Sequence, residues 1–227
     1  LTALCAVFLF IERENDMKLD IIPVTSFQQN CSLVWDEKDK SAAIVDPGGE
    51  APKLIKRIEE LGLNPKMILL THGHLDHVGA AIKLKTHFNC EILGPAQADE
   101  YWFQMLPQQS RQFGLFEAEA FLPDRWLNRE GEVIQLGELG FEVLHLPGHT
   151  PGHVGFIDHV HHIAFIGDVL FNQSIGRTDF PGGNHEDLMR SIKDKLFTLP
   201  DDTIVIAGHG PYTTIGQEKM HNPYVHG

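Results

Sequence analysis

The sequence predicts an α/β domain in which two packed sheets carry helices on their outer faces. Three observations predict it. Strand-like and helix-like runs occur in two rounds, a meander followed by helices and then a second meander followed by a helix. No low-complexity linker separates the rounds, so 17–227 is expected to form one domain. The 227 residues, 42% of them hydrophobic, suffice to bury a sizeable core without disulfide staples.

The first meander has strands over Cys31 to Asp36 and Ala42 to Asp46 around the charged turn Glu37 to Lys40, and Asp46 to Gly49 stops the second. Leu54, Ile55, Ile58 and Leu61 recur at helical spacing, which predicts an amphipathic helix over Pro52 to Leu61, closed by Gly62 and Pro65. Met67 to Leu70 reads as a buried strand, Val78 to His87 as a helix, Glu91 to Gly94 as a short strand, and Ala96 to Met105 as a third helix. Pro107 to Arg129, rich in Gln, aromatics and proline, reads as a long loop over a site. Strands follow over Glu132 to Leu136, Phe141 to Leu146, Val154 to Asp158 and Ile163 to Ile166. A loop over Asp168 to Asn184, a helix over Glu186 to Leu196, a strand over Thr203 to Ala207 and a short tail complete the chain. Met17 precedes strand-like alternation, so residues 1–16 are expected to be a non-native or upstream extension.

Lys plus Arg number 18 against 31 Asp plus Glu, and the resulting net charge of −13 disfavours nucleic acid as a partner. The apolar run Ala3 to Ile11 is too short to span a bilayer and has no basic residue ahead of it, so no membrane association is expected. Cys5, Cys31 and Cys90 are scattered without CxxC spacing, which fits a reducing cytoplasm and argues against a thiolate metal site.

The 14 histidines are decisive because they cluster. His72, His74, Asp76 and His77 follow the buried strand on a turn into a helix. Alternation at the strand end sends His72 and His74 one way, while Asp76 and His77 lie around the bend, so two metals are expected. His149, Asp168 and His209 each follow a predicted strand, in rigid turns of Pro and Gly or directly after a Gly. The set totals five His and two Asp, all N or O donors suited to zinc, with iron and manganese also acceptable. Asp46 is a candidate to orient a ligand histidine, and Arg177 with Asp179 to order the loop beside Asp168 or to meet an anionic substrate. His153 either bonds near the site or packs beneath it. The cluster Asp158 to His162 reads as a hairpin turn, and Tyr101, Trp102 and Phe103 as pocket or core aromatics.

THGHLDHVGA (71–80), LPGHTPGH (146–153), IGD (166–168) and AGHGP (207–211) resemble the metallo-β-lactamase-fold hydrolases over nearly all of residues 19 to 222. DPGG (46–49) and GRTDFPGG (176–183) make the chain most similar to short, single-domain glyoxalase II-like enzymes. The resemblance implies a four-layer αββα sandwich. It also implies that His72, His74 and His149 hold one metal, that Asp76, His77 and His209 hold the other, and that Asp168 bridges them, with Asp76 and Asp168 as the catalytic carboxylates. The implied activity is hydrolysis of S-lactoylglutathione or a related small acyl-glutathione thioester by two divalent metal ions, most simply zinc. Full-length glyoxalase II enzymes add a C-terminal helical domain, which this chain is expected to lack, with only 18 residues after His209. They also continue the last ligand with Glu-Tyr where Gly210-Pro211 stands here. GRTDF is shared with mononuclear iron persulfide dioxygenases of the same fold, which are the alternative.

Overall fold

The computed structural model describes residues 17–114 and 118–225, so the expectation for residues 1–16 lies outside the described residues. The first sheet runs β1 (Met17–Val24), β2 (Gln29–Asp36), β3 (Ser41–Val45), β4 (Asn64–Leu69) and β5 (Glu91–Leu93), in that spatial order. The first three strands pair antiparallel through short turns. β3, β4 and β5 pair parallel, because helices carry the chain back between them. These crossovers are α1 (Ala51–Glu60), which buries Leu54 and Ile58, and the pair α2 (Leu75–Val78) and α3 (Ala81–Phe88). The chain next makes a tight 3-10 turn, Gln97–Asp99, then α4 (Glu100–Gln104) and α5 (Leu106–Phe113).

The second sheet contains β6 (Val133–Leu136), β7 (Leu139–His145), β8 (Val154–Asp158) and β9 (Ile163–Gly167), paired antiparallel. A small hairpin, β10 (Leu170–Phe171) and β11 (Ser174–Ile175), then leads to α6 (His185–Arg190), which continues through a wider turn over Ser191–Lys195 and a tight one over Leu196–Thr198. This second crossover makes β12 (Ile204–Ala207) parallel to β9, and β13 (Thr213–Thr214) and α7 (Ile215–His221) follow. The order is β13-β12-β9-β8-β7-β6.

The expected four layers are present. Val34, Ala43 and Leu69 of the first sheet face Phe141, Phe156 and Phe165 of the second across one buried interface. Burying each such ring is worth about 2 kcal/mol. The outer face of the first sheet packs Ile44 and Ile68 beneath Leu54, Ile58 and Leu84, while the second packs Ala164 and Ile166 beneath Leu188, Ile192 and Ile215. Strands covered on both faces read as unbroken apolar runs, as in β8 and β9. The C-terminal ends of β4 and β7 are drawn together by Val154 N–H donating to Thr71 O at 2.8 Å, and those of β9 and β12 by Gly208 N–H donating to Gly167 O at 2.8 Å.

Four sequence expectations need correction. The stretch expected as a loop from Pro107 begins as α5, whose buried face is Leu106, Gln109 and Ser110; two of those three are polar, so the apolar period is hidden. The helix expected over Val78 to His87 is broken at Gly79 and Ala80 into α2 and α3. The loop after Asp168 contains the β10–β11 hairpin, and the tail contains β13 and α7. Among the described residues no helix is long and apolar enough to cross a membrane.

Candidate metal centre

The turn after β4 brings His72 and His74 to one point, and the turn after β7 brings His149 to the same point. His72 Nε2 and His149 Nε2 each lie 3.0 Å from His74 Nδ1. The outer nitrogens of the first and last are committed elsewhere. His72 Nδ1 donates to Thr71 Oγ1 at 3.0 Å, because that hydroxyl's own hydrogen goes to Asp46 Oδ2. His149 Nδ1 donates to the Arg177 carbonyl at 2.8 Å. Both Nε2 atoms therefore present lone pairs, and the single hydrogen that His74 Nδ1 can carry cannot satisfy both. A cation among three lone pairs can, so this triad fits a metal.

A second triad faces the first. His77 Nε2 lies 3.9 Å and His209 Nε2 3.2 Å from Asp76 Oδ2. His77 Nδ1 donates to Asp46 Oδ2 at 2.9 Å and His209 Nδ1 to the Phe27 carbonyl at 3.1 Å, so these Nε2 lone pairs also point inward. Asp168 stands between the triads, with Oδ1 3.4 Å from His77 Nε2, and with Oδ2 3.7 Å from His149 Nε2 and 3.6 Å from His209 Nε2. Asp168 Oδ1 and His77 Nε2 are buried with no hydrogen-bond partner, as donor atoms awaiting a cation would be. Gly208 is demanded here, since a Cβ would stand 2.2 Å from Asp168 Oδ1.

The electrostatics follow from this crowding. Burial, and then the neighbouring imidazoles, hold His72 well below the usual histidine pKa, and burial with His149 pushes His74 down to about 3. Burial also opposes charge on His77, but Asp168, Asp76 and Asp46 around it prevail and draw its pKa well up. Burial would raise Asp168; His77, His149 and His209 overcome it and hold the carboxyl well below the ordinary range.

His74 and His149 of the first triad, Asp76 and His209 of the second, and Asp168 line a pocket of about 590 Å³, with His72 and His77 buried. Trp102 and Phe180 set their rings edge-on against His74, with centroids 4.5 and 4.8 Å away, while Phe27, Tyr101, Phe113 and Phe171 form the rest of an aromatic wall. Arg177 is the pocket's one Lys or Arg among the described residues; it is bidentate to Asp179 at 2.7 and 2.6 Å, and its guanidinium lies over Phe180.

All seven expected ligand positions converge. Asp46 sits behind them, accepting from Thr71 N, Thr71 Oγ1 and His77 Nδ1, so its grouping with His72 and His77 is a support rather than a third site. Asp179 does not line the pocket, and the Arg177 contact to His149 is through its backbone carbonyl. His153 packs parallel to His72 with centroids 4.7 Å apart, and its Nε2 accepts from Asp168 N. Trp102 lines the pocket while Phe103 is core. The histidines of Asp158 to His162 pair locally, His161 with Asp158 and His162 with Asp202, away from the centre. Sequence reasoning missed Thr71, Asp99 and Gln109. Thr71 lay inside the motif, whereas an acid at a helix start reads as ordinary capping and a glutamine in a polar run carries no signal.

Comparison with known proteins agrees with this geometry. The profile described as the Metallo-beta-lactamase superfamily matches residues 24–209. The chain is 63% identical to the hydroxyacylglutathione hydrolase GloC of Haemophilus influenzae over 92% of this chain and 98% of that protein. Among solved structures, the BLEG-1 B3 metallo-beta-lactamase superposes with a TM-score of 0.86 at 41% identity, covering 92% of this chain and all (100%) of that one. TTHA1623 in a di-iron-bound form superposes with a TM-score of 0.82 at 39% identity, covering 90% and 98%.

Proposed function

This chain belongs to the metallo-beta-lactamase superfamily, and from that premise we propose that it is a metal-dependent thioester hydrolase of the glyoxalase II type. Its substrate would be S-lactoylglutathione or a related acyl-glutathione thioester, cleaved to a carboxylate and a free thiol. The observation that carries the reading is the pair of inward-facing triads joined by Asp168 on the floor of one pocket. The relative at 63% identity, named a hydroxyacylglutathione hydrolase, supports the substrate class.

His72, His74 and His149 would hold one divalent metal and Asp76, His77 and His209 the other, with Asp168 serving both. Zinc suits this nitrogen and oxygen donor set, and the di-iron form of the neighbour makes iron the main competitor. Bound there, the metals supply a water acidic enough to ionise near neutral pH and a Lewis acid for the carbonyl oxygen. The chain's residues do the rest. Asp76 and Asp168 would offset the cationic charge, and the Asp168 carboxyl, lying between the triads, would orient the attacking water. Trp102 and Phe180 exclude bulk water from the His74 side. Arg177 and the glutamines Gln108 and Gln112 of α5 line the pocket and would meet a peptide-like thiol carrier. The buried free thiols of Cys31 and Cys90 accord with a cytoplasmic location.

The test is one metal-loaded preparation assayed in parallel against S-lactoylglutathione, glutathione persulfide and a β-lactam. Thioester cleavage is expected, without oxygen uptake. Oxygen consumption with the persulfide and no thioester cleavage would identify the iron dioxygenase instead, and β-lactam turnover alone would align the chain with the BLEG-1 neighbour.

A further inference from the structure

Asp99 is fully buried and lies outside both triads, at the end of the 3-10 turn before α4. Its Oδ2 accepts from Gly73 N–H at 3.0 Å and from Thr150 Oγ1 at 2.8 Å, and its Oδ1 accepts from Gly152 N–H at 2.6 Å. Every partner is a donor and none is a cation. Gly73 sits between His72 and His74 in the turn after β4. Thr150 and Gly152 follow His149 in the turn after β7, on the other sheet. One carboxylate thus spans the two turns whose histidine nitrogens converge on a single point.

The approach is close. A Cβ on Gly152 would stand 2.5 Å from both Ala96 O and Asp99 N, and Ala96 N–H donates to Gly152 O at 3.0 Å. The 3-10 turn is therefore a clasp laid across the first triad. Gln109 of α5 steadies the same ligand turn from above, accepting from Leu75 N–H at 2.9 Å. We propose that Asp99 is a positioning residue which, with one carboxyl oxygen accepting from each turn, sets the spacing of His72 and His74 against His149 and so the metal affinity of the first triad alone. The second triad is built from α2 and from the turn after β12, which Asp99 does not touch.

Both oxygens are required as acceptors by the donor count, Oδ2 for Gly73 N–H and Oδ1 for Gly152 N–H. In Asp99→Asn one acceptor oxygen becomes an NH₂ group, so either Gly73 N–H or Gly152 N–H faces a donor and loses its acceptor. One turn is then released from the other, while the direct Thr71–Val154 backbone bond keeps the sheets together.

This inference rests on reading the triads as metal sites, and the experiment separates the two. Cobalt(II) is titrated into metal-stripped wild type, Asp99→Asn and Thr150→Val, following the visible absorption of each bound equivalent and its competition with a chelator, beside the melting of each metal-free protein. Wild type should bind two equivalents. Asp99→Asn should bind one of them at least about tenfold more weakly, with an altered spectrum for that equivalent only, in line with the usual cost of losing an outer support. Thr150→Val, which removes one of three donors, should show the same change at smaller amplitude, and it carries the test if Asp99→Asn does not fold. Two wild-type-like equivalents in both variants, whatever their melting temperatures, would overturn the positioning role. Fewer than two equivalents in wild type would overturn the site reading itself.

Discussion

Asp46 Oδ2 accepts the Nδ1 hydrogen of His77 at 2.9 Å, and the same oxygen takes the Thr71 hydroxyl at 2.5 Å. That hydroxyl in turn accepts from His72 Nδ1. One buried carboxylate thereby fixes the tautomers of two histidines that belong to different triads.

Asp46→Asn should therefore weaken both metals. An amide nitrogen facing His77 Nδ1 moves the imidazole proton to Nε2, where it blocks coordination. Affinity is expected to fall about 10- to 100-fold, read by chelator competition and by elemental analysis after dialysis.

Asp168→Asn should lower metal content and thioester hydrolysis together, since both triads share that side chain. His159→Ala and His162→Ala should leave both near wild type, because these side chains pair with Glu142 and Asp202. His161→Ala should cost about 1–3 kcal/mol of stability by leaving Oδ2 of buried Asp158 without its donor, with metal content unchanged. Elemental analysis, a thioester hydrolysis assay and thermal melting of the purified variants check all three statements.

Metal loading should depend on pH with a definite sign. In the metal-free protein the pKa of His77 is raised well above 6.5, chiefly by Asp168 and Asp76 against the opposing effect of burial. Its stabilisation of the metal-free fold is fully present below pH 6.5 and is lost as pH rises through the raised value. A metal must expel that proton. Apparent metal affinity should rise with pH by up to about tenfold per unit below the raised pKa, and calorimetry in buffers of different ionisation enthalpy should detect proton release at pH 7.

Arg177→Ala should raise KM for acyl-glutathione thioesters several-fold while leaving metal content unchanged, because His149 is held by the Arg177 backbone carbonyl rather than by its side chain. The Arg177–Asp179 pair is well exposed, at 62% and 66%, so stability should change little. With Arg177 the one Lys or Arg among the described residues of the pocket, discrimination among thiol carriers should be modest. A panel of acyl thioesters on different thiols measures this.

A variant beginning at Met17 should fold and bind metal like the full chain, since β1 pairs along its whole length from Met17 with β2 and no expected ligand precedes it. Loss of solubility on truncation would show that 1–16 contribute to packing.

The positions of the converging His and Asp residues and most strands were legible in the sequence because each is a local event. His72, His149, Asp168 and His209 stand where an apolar run ends in a turn, and unbroken runs such as Ile163 to Ile166 are dictated by burial on both faces. The tertiary structure alone decided what is not local. His74 and His149 meet at 3.0 Å although 75 positions apart, a convergence set by how the two sheets stack. Asp99 and Gln109 became supports for the ligand turns only when α4 and α5 folded across them, and Trp102 faces the pocket while Phe103 enters the core because one helical step turns a side chain by roughly 100°. Polar residues reveal such roles through their partners, and those partners come together only when the chain folds.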